Sequence, residues 1–300
     1  MRKINRAFGV ISLLLCLVSC TSSGEQSQAS STDDRFSFAF LTDVHMNLNN
    51  LSVSSEGLRK ALEDAKSNDI DFVIFGGDLV DLDGLPPQDS LRADSLISAF
   101  KSIVDNSGVN AYYTIGNHDR YYTYASQPDE AGFGLFSDHL GKTFYSFDHK
   151  DVHFVVLNSV EINDSTHKYE VGPDQLEWLR ADLSALSPQT PVVVSTHVPF
   201  QSLYYPAVEG VVKDVDMFSN FKEVWDILLG YNLQIILQGH QHLHEELLVN
   251  NTHFVTAGAV SAAWWGGPML NTQEGYMLVN VDADKRFTWE YIDYGWEVNK

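Results

Sequence analysis

The sequence predicts a single-domain α/β protein in which two mixed sheets pack face to face, with helices outside them. From residue 36 onward, strand patterns alternate with amphipathic helix patterns, and this alternation is typical of α/β folds. Turn signals at 149–151, 250–251 and 282–285 join consecutive strand patterns as hairpins, so the sheets must contain antiparallel as well as parallel neighbours. No internal repeat or linker interrupts this region, and we expect one domain over residues 35–300.

Apolar runs with strand character recur along the whole domain. In chain order they are FSFAFLT (36–42), DFVIFGG (71–77), AYYTIG (111–116), TFYSFD (143–148), VHFVVLNS (152–159), PVVVST (191–196), LQIILQ (233–238), THFVTAG (252–258), GYMLVNVD (275–282) and FTWEYID (287–293). Helix patterns lie between them at 56–67, 89–106, 172–185 and 218–229. In the third helix pattern, Leu176, Leu179 and Leu183 recur on one face, which indicates packing on a sheet. Pro173 suits the first turn of this helix.

Five of the strand patterns are followed at once by side chains that bind metal ions. Strand by strand, these side chains are Asp43 with His45, Asp78, Asn117, His197, and His240 with His242. Because strands of a parallel α/β sheet gather their carboxyl ends at one edge, we expect the seven side chains in one pocket. Imidazole, carboxylate and amide ligands suit Zn²⁺, Mn²⁺, Fe or Co²⁺. Seven ligands overfill one ion and fill two if a carboxylate is shared, the arrangement used for phosphoryl transfer.

The motifs D-x-H, G-D-x-x-D, G-N-H-D, a lone H and G-H-x-H occur in this order from Asp43 to His242. Together they resemble the motifs of the calcineurin-like metallophosphoesterases. The resemblance implies a four-layer α/β/β/α sandwich and two divalent or trivalent metal ions. In this family's pattern one ion would be held by Asp43, His45, Asp78 and His242. The other would be held by Asp78, Asn117, His197 and His240, with Asp78 shared.

Three residues of the motifs are left over from this ligand set. His118 follows Asn117 directly, and two adjacent side chains do not easily point at one ion. His118 is therefore free to face a substrate, where it would stabilise phosphoryl oxygens or protonate the leaving oxygen. We expect Asp119 to orient His118 and raise its pKa, so these two are the candidate catalytic residues. Asp81 either orients a metal ligand or caps the following turn, and the sequence leaves both roles open.

These features imply the hydrolysis of phosphate esters. A water shared by the two ions would lose its proton near neutral pH, because metal coordination lowers its pKa to about 7, and would attack phosphorus in line while His118 assists the leaving alcohol. The motifs are similar to those of phosphomonoesterases and of cyclic-nucleotide phosphodiesterases, so monoesters and diesters both stay open. Purple acid phosphatases carry tyrosine where Asp81 stands, so a tyrosinate-bound ferric ion is not expected. The alternatives are a non-catalytic, metal-supported binding module and a nuclease of the same superfamily.

Charge and aromatic residues bear on the substrate. The formal net charge is -21, and without the three basic residues that precede Cys20, 16 Lys and Arg stand against 40 Asp and Glu. Such a surface repels polyanions, so we expect a small phosphate ester rather than a nucleic acid polymer. Separately, nothing in the sequence leads us to expect a protein partner. Trp264 and Trp265 lie in a Gly-rich loop. They either stack on a ring of the substrate or pack beneath the loop.

The amino-terminal segment resembles that of a bacterial lipoprotein. Basic residues precede an apolar run that is too short to span a bilayer and that ends in Leu17-Val-Ser-Cys20, which is typical of a signal peptide over residues 1–19. Lipidated Cys20 and a polar, flexible tether over residues 20–34 would hold the enzyme to the bacterial cell envelope after export, on its periplasmic or surface face. An ordinary signal peptide with an incidental cysteine is the alternative. Cys16 and Cys20 are the only cysteines, so we expect no disulfide in the domain.

Overall fold

A computed structural model of the chain describes residues 34–122, 129, 131–163, 165–213 and 215–298, all within the unit Asp33–Lys300. The strands are β1 (Phe36–Leu41), β2 (Phe72–Phe75), β3 (Ala111–Tyr113), β4 (Tyr145–His149), β5 (Val152–Val156), β6 (Glu161–Ile162), β7 (Tyr169–Glu170), β8 (Pro191–Ser195), β9 (Asn232–Gln238), β10 (Glu245–Val249), β11 (Thr252–Thr256), β12 (Gly275–Val281) and β13 (Phe287–Asp293). The helices are α1 (Leu51–Ser67), α2 (Ser90–Ser107), α3 (Gly134–Leu140), α4 (Pro173–Ser184) and α5 (Phe221–Leu228). A short π-helical turn covers Tyr205–Glu209.

Two sheets contain most of these strands. The order in the first is β13-β12-β1-β2-β3, and β1, β2 and β3 run parallel. The order in the second is β10-β11-β9-β8-β5-β4, and β5, β8, β9 and β11 run parallel. Antiparallel pairs lie on either side of all three predicted turns, as β4–β5, β10–β11 and β12–β13. Strand β10 itself was not predicted from the sequence. A small ribbon of β6 and β7 was not predicted from the sequence.

The two sheets pack against each other through a layer rich in aromatic rings. Phe38 of β1 stacks on Phe72 of β2 with the ring centroids 5.1 Å apart, and Phe154 of the second sheet meets Phe38 edge-on at 5.4 Å. Residues of β2 alternate between this layer and the apolar cluster that includes the helices, and all four are buried. Because both faces of the sheets are covered, the predicted four-layer sandwich is confirmed.

The helices contribute apolar stripes to the outer layers. The predicted stripe of Leu176, Leu179 and Leu183 on α4 is buried. Helix α1 begins at Leu51, before the predicted start at residue 56, because buried Ser54 and its neighbours pack into the fold despite their modest helix propensity. Helix α3, which was not predicted, buries little beyond Phe136. Among the described helices, none is both long enough and apolar enough to cross a bilayer.

The carboxyl ends of the central strands of both sheets meet at one edge of the sandwich, as expected for parallel strands. The loop after β1 is joined to the loop after β2, since the backbone N–H of His45 donates to the carbonyl of Asp78 at 2.9 Å. The loop after β9 is joined to the loop after β8, since the N–H of Gly239 donates to the carbonyl of His197 at 3.0 Å. These backbone bonds fix the relative positions of the loops that carry the predicted ligands.

Candidate metal centre

Asp43, His45 and His242 form the first of two clusters of metal-binding atoms. Asp43 and His45 follow β1, and His242 follows β9. The Nε2 atoms of His45 and His242 are 3.0 Å apart, and Nε2 of His242 lies 3.2 Å from Oδ1 of Asp43. The three side chains are buried, and each offers one ligand atom within 4.8 Å of the others. This spacing suits one cation held between them.

Asp78, His197 and His240 form the second cluster, again with ligand atoms within 4.8 Å of one another. Nε2 of His197 lies 3.0 Å from Oδ2 of Asp78 and 3.2 Å from Oδ1 of Asn117, so the amide of Asn117 belongs to this cluster. Oδ2 of Asp78 is also 3.7 Å from Nε2 of His45. Asp78 therefore stands between the two clusters, and the structure brings all seven predicted ligands together.

The other ring nitrogen of three of these histidines is already hydrogen-bonded. Nδ1 of His45 donates to Oδ1 of Asp81 at 2.7 Å. Nδ1 of His197 and Nδ1 of His242 donate to backbone carbonyls at 2.9 and 2.5 Å. These bonds place hydrogen on Nδ1 and turn Nε2 towards the clusters, so a metal ion that displaces the Nε2 proton would meet the nitrogen through which imidazole binds. Of the two roles left open for Asp81, the structure shows the first, because its side chain orients His45.

Two ionised carboxylates dominate the electrostatics of the clusters. Burial opposes ionisation of Asp43, but the adjacent imidazole of His242 outweighs burial and lowers the pKa of Asp43 to about 2. The pKa of Asp78 is also lowered well below its ordinary value, because His197 and His45 outweigh burial. Conversely, the charge of Asp78 outweighs burial at His197 and raises the pKa of His197 to about 9. Protonated imidazoles thus balance the buried negative charge, and cations that bind here would take their place.

The backbone conformation of the ligands is unusual. Five of the predicted ligands have backbone φ angles between 48° and 73°, which residues other than glycine rarely adopt; they are Asp43, His45, Asp78, His240 and His242. Glycines allow the loops to approach each other. A Cβ on Gly77 would lie 2.5 Å from Nδ1 of His197, and a Cβ on Gly116 would lie 2.1 Å from the backbone nitrogen of Asp78. Strained backbone of this kind persists only where the surrounding fold imposes it, which is a property of functional sites.

His118 lies beside the first cluster, with its ring centroid 4.9 Å from that of His45. A third group of possible ligands consists of His45, Asp81 and His118. In this group His45 and Asp81 are hydrogen-bonded to each other, and His118 lies next to them. Nδ1 of His118 donates to Oδ1 of Asp83 at 2.9 Å. Burial lowers the pKa of His118, but this hydrogen bond and the charge of Asp78 outweigh burial and raise the pKa to about 10. The carboxylate of Asp83 therefore favours the protonated form of His118.

Asp119 does not orient His118, and this expectation was wrong. The buried carboxylate of Asp119 accepts hydrogen bonds from the backbone N–H groups of Leu79, Val80 and Gly116, at 2.8, 2.9 and 2.8 Å. These donors belong to the loops that follow β2 and β3, so Asp119 joins the two loops that carry Asp78 and Asn117. Burial and the charge of Asp78 raise the pKa of Asp119 to about 7. The partner of His118 is Asp83, which no motif in the sequence identified.

A pocket of about 210 Å³ opens above the clusters. Its lining residues are Asp78, His118, Tyr204, Tyr205, Asp216, His240, Gln241, His242, Trp264 and Met269. Trp264 is half exposed, whereas Trp265 is buried, so packing beneath the loop holds for Trp265, and Trp264 lines the pocket. The sequence did not indicate Asp216, whose Oδ1 lies 3.6 Å from Nε2 of His240. His244 continues the spacing of the last motif but bonds the carbonyl of Thr256 at 3.2 Å, outside the pocket.

Comparison with known proteins agrees with this geometry. Residues 36–244, which include all seven predicted ligands, match the family model of the calcineurin-like phosphoesterases. The chain therefore belongs to this family.

One relative is similar to part of this sequence, and two solved structures share the fold. The chain is 26% identical over 175 residues to a probable cyclic nucleotide phosphodiesterase of Rhodococcus erythropolis, covering 57% of this chain and 51% of that protein, so it spans about half the length of this relative. A dimetal phosphatase from Danio rerio superposes with a TM-score of 0.62 at 16% identity, over 87% of this chain and 96% of that one. GAP50, the anchor in the inner membrane complex of Plasmodium, superposes with a TM-score of 0.56 at 14% identity, over 88% and 86% of the two chains.

Proposed function

We propose that the protein hydrolyses a small phosphate ester at two metal ions that share Asp78. One observation carries this proposal: two clusters of nitrogen and oxygen ligands lie on either side of a single buried carboxylate. The donor set fits two cations, because the Nε2 atoms of His45, His197 and His242 face the clusters while their Nδ1 atoms are hydrogen-bonded elsewhere. Buried Asp43 and Asp78 also require positive charge close by.

Each of the two clusters would hold one ion. Asp43, His45 and His242 would hold one ion, and Asn117, His197 and His240 would hold the other. When bound, the ions would supply an acidified water and positive charge for the phosphoryl oxygens. Histidine, carboxylate and amide donors favour Mn, Fe, Zn or Co. Because Asp81 takes the place of a tyrosine and orients His45, we expect no purple iron–tyrosinate colour.

The chain itself supplies the proton for the leaving group. The Nδ1–H of His118 is committed to Asp83, so its Nε2–H is the one free for a substrate. His118 lines the pocket, and its hydrogen bond to the carboxylate of Asp83 raises its pKa and so favours its protonated form. A positioned acid of this kind contributes about 10²- to 10⁴-fold to a rate. We propose that His118 protonates the departing alcohol and that Asp83 orients it.

The strongly acidic composition favours a small substrate over a nucleic acid polymer. A binding module without turnover is the other candidate, because a fold alone does not determine activity and GAP50 has this fold. Against this candidate stands the full ligand set, with no motif residue missing. Whether the ester is a monoester or a diester is decided by assay.

The test combines metal analysis with turnover. The purified protein should carry about two transition-metal ions per chain and hydrolyse nitrophenyl phosphate or bis(nitrophenyl) phosphate, and a chelator should abolish this activity. His197→Ala and Asp78→Ala should lose both metal and turnover, with the larger loss for Asp78, which contacts both clusters. His139→Ala, which removes a histidine paired with Asp94 at 2.9 Å outside the pocket, is the matched control. A protein with two metals and no hydrolysis of either ester would support the binding module instead.

Residues 1–33, with the proposed signal peptide, Cys20 and nearly all of the tether, lie outside the described residues. We propose that acylation of Cys20 anchors the enzyme to the cell envelope. The proposal is supported by the lipoprotein-like sequence around Cys20. The two-signal requirement for stable membrane anchoring is met if the cysteine carries more than one acyl chain.

A further inference from the structure

Trp264 covers part of the metal centre with one face of its indole ring. The ring centroid lies 4.3 Å from that of His242, with the planes tilted by 31°, and 5.3 Å from that of His45. The side chain is nevertheless 48% exposed. An indole that is packed on buried imidazoles and still half exposed leaves its other face open to the pocket.

The position of Trp264 is imposed by its neighbour. Trp265 is buried, its Nε1–H donates to the carbonyl of Val44 at 2.9 Å, and its ring packs against Trp296. Helix α1 accommodates this ring only because residue 57 is glycine, where a Cβ would lie 2.0 Å from the ring of Trp265. Trp264 and Trp265 both have left-handed backbone, with φ of 50° and 68°. Backbone strain of this kind at a bulky residue is tolerated where it serves a function, and here it holds an aromatic face over the pocket.

The rest of the pocket wall has no positive charge apart from histidine. The described residues that line it include neither Lys nor Arg. Tyr204 and Tyr205 stand on the wall with their rings 5.2 Å apart, and the hydroxyl of Tyr205 donates to Asp216. Beyond the phosphate, a substrate therefore meets aromatic faces and hydrogen-bonding groups. Flat heteroaromatic rings bind well to such walls.

We propose that Trp264 is a stacking platform for the alcohol part of the substrate, which is a phosphate ester that carries a nucleobase-like ring. This proposal rests on the proposed phosphoesterase function of the same pocket and names its substrate class. It makes Trp264 a specificity-determining residue, while the two clusters and His118 act on the phosphate.

The test compares esters that differ only in the base. Adenosine 5′-monophosphate and ribose 5-phosphate share the same ester bond and the same leaving hydroxyl. Adenosine 3′,5′-cyclic phosphate and the cyclic phosphate of methyl riboside form the corresponding diester pair. The wild-type enzyme should prefer the base-bearing member of whichever pair it hydrolyses. In Trp264→Leu the ratio of the two kcat/KM values should fall by about 5- to 100-fold, the effect of losing one base–aromatic stack, and Trp264→Phe should retain part of the preference.

Two controls separate stacking from simple packing. Trp178→Ala removes a tryptophan that packs on Phe144 in the outer layer, and it should leave the ratio at the wild-type value. Adenosine, which has no phosphate, should inhibit the wild-type enzyme more strongly than it inhibits the Trp264→Leu variant. The proposal is overturned if wild-type enzyme shows no preference, or if Trp264→Leu slows both esters equally, since Trp264 would then only cover His242.

Failure of the proposed function has a different signature. If the metal-loaded protein hydrolyses the nitrophenyl esters but none of these four esters, the substrate class is wrong and the phosphoesterase function stands. If it hydrolyses neither the nitrophenyl esters nor these four, the phosphoesterase function fails. Binding of adenosine 5′-monophosphate can still be measured by isothermal titration calorimetry, which does not depend on the fluorescence of Trp264. Weaker binding to Trp264→Leu than to wild type would then uphold the stacking platform, and equal binding would refute it.

Discussion

Replacing Asp119 with alanine should destabilise the protein strongly, because this residue joins two loops rather than transferring a proton. Its carboxylate is fully buried and accepts three backbone hydrogen bonds. Each buried N–H that loses its acceptor costs about 1–3 kcal/mol, so Asp119→Ala should lower the free energy of unfolding by at least about 3 kcal/mol. That is a large part of the total of about 5–15 kcal/mol that holds a domain folded.

Asp119→Asn gives a graded comparison. The asparagine oxygen can still accept from Leu79 and Val80, whereas its amide nitrogen would meet the N–H of Gly116. One bond out of three is lost, and the expected cost is about 1–3 kcal/mol. The cost should also depend on pH. Because the pKa of Asp119 is raised from 3.8 to about 7, its contribution to stability is full below pH 3.8 and is lost as the pH rises through about 7. The penalty of the asparagine should shrink over the same interval.

The assay is urea unfolding of the metal-free protein, followed by circular dichroism at several pH values. Metal-free protein is needed because bound cations would offset the charge of Asp78 and so change the pKa of Asp119. Asp94→Ala, which removes a half-exposed carboxylate, should cost less than about 0.5 kcal/mol. If both Asp119 variants unfold like wild type, and their rates fall most for esters with poor leaving groups, then Asp119 is a catalytic acid after all.

Three further substitutions test the site and the anchor. The hydrogen bond from His118 to the carboxylate of Asp83 raises the pKa of His118, so the protonated form is complete at low pH and is lost as the pH rises through this raised pKa. Asp83→Asn should therefore move the alkaline limb of kcat/KM to lower pH, and an unmoved limb would remove His118 from proton transfer. Asp81→Ala should weaken one of the two metal-binding steps by about 10- to 100-fold, because only His45 loses its partner; equal weakening of both steps in a metal titration would contradict the assignment. Cys20→Ser should abolish fatty-acid labelling and release active enzyme from membranes, whereas a wild-type chain without label would mean a soluble exported protein.

Much of the fold and the ligand set could be predicted because both depend on local sequence. Strand patterns such as FVIF of β2 are buried on both faces, so they are apolar throughout and easy to recognise. The ligands follow these strands directly, and the position of a strand's carboxyl end is a property of the fold class. The sequence therefore predicted that seven side chains from five loops lie together, although it gives no distances between them.

The partners of these residues could not be predicted, because they depend on contacts between loops. Asp119 is next to His118 in sequence, but the turn points its carboxylate at backbone N–H groups 39 and 40 residues earlier. Asp83 reaches His118 from another loop, and Asp216 reaches His240 from a segment without a motif. Such pairings depend on which loops lie next to each other in the folded chain, and the spacing of residues in the sequence does not give this information.

The left-handed backbone at the ligands also determines which substitutions are informative. At His242, where φ is 53°, alanine would remove the ligand and keep the backbone strain, whereas glycine adopts this conformation at little cost. His242→Gly should thus preserve the shape of the loop and leave a hole the size of an imidazole. Free imidazole added to the solvent could then occupy that hole and restore both metal binding and turnover. Because the fold itself imposes the backbone conformation at this position, the imidazole group need not be attached to the chain in order to bind the metal.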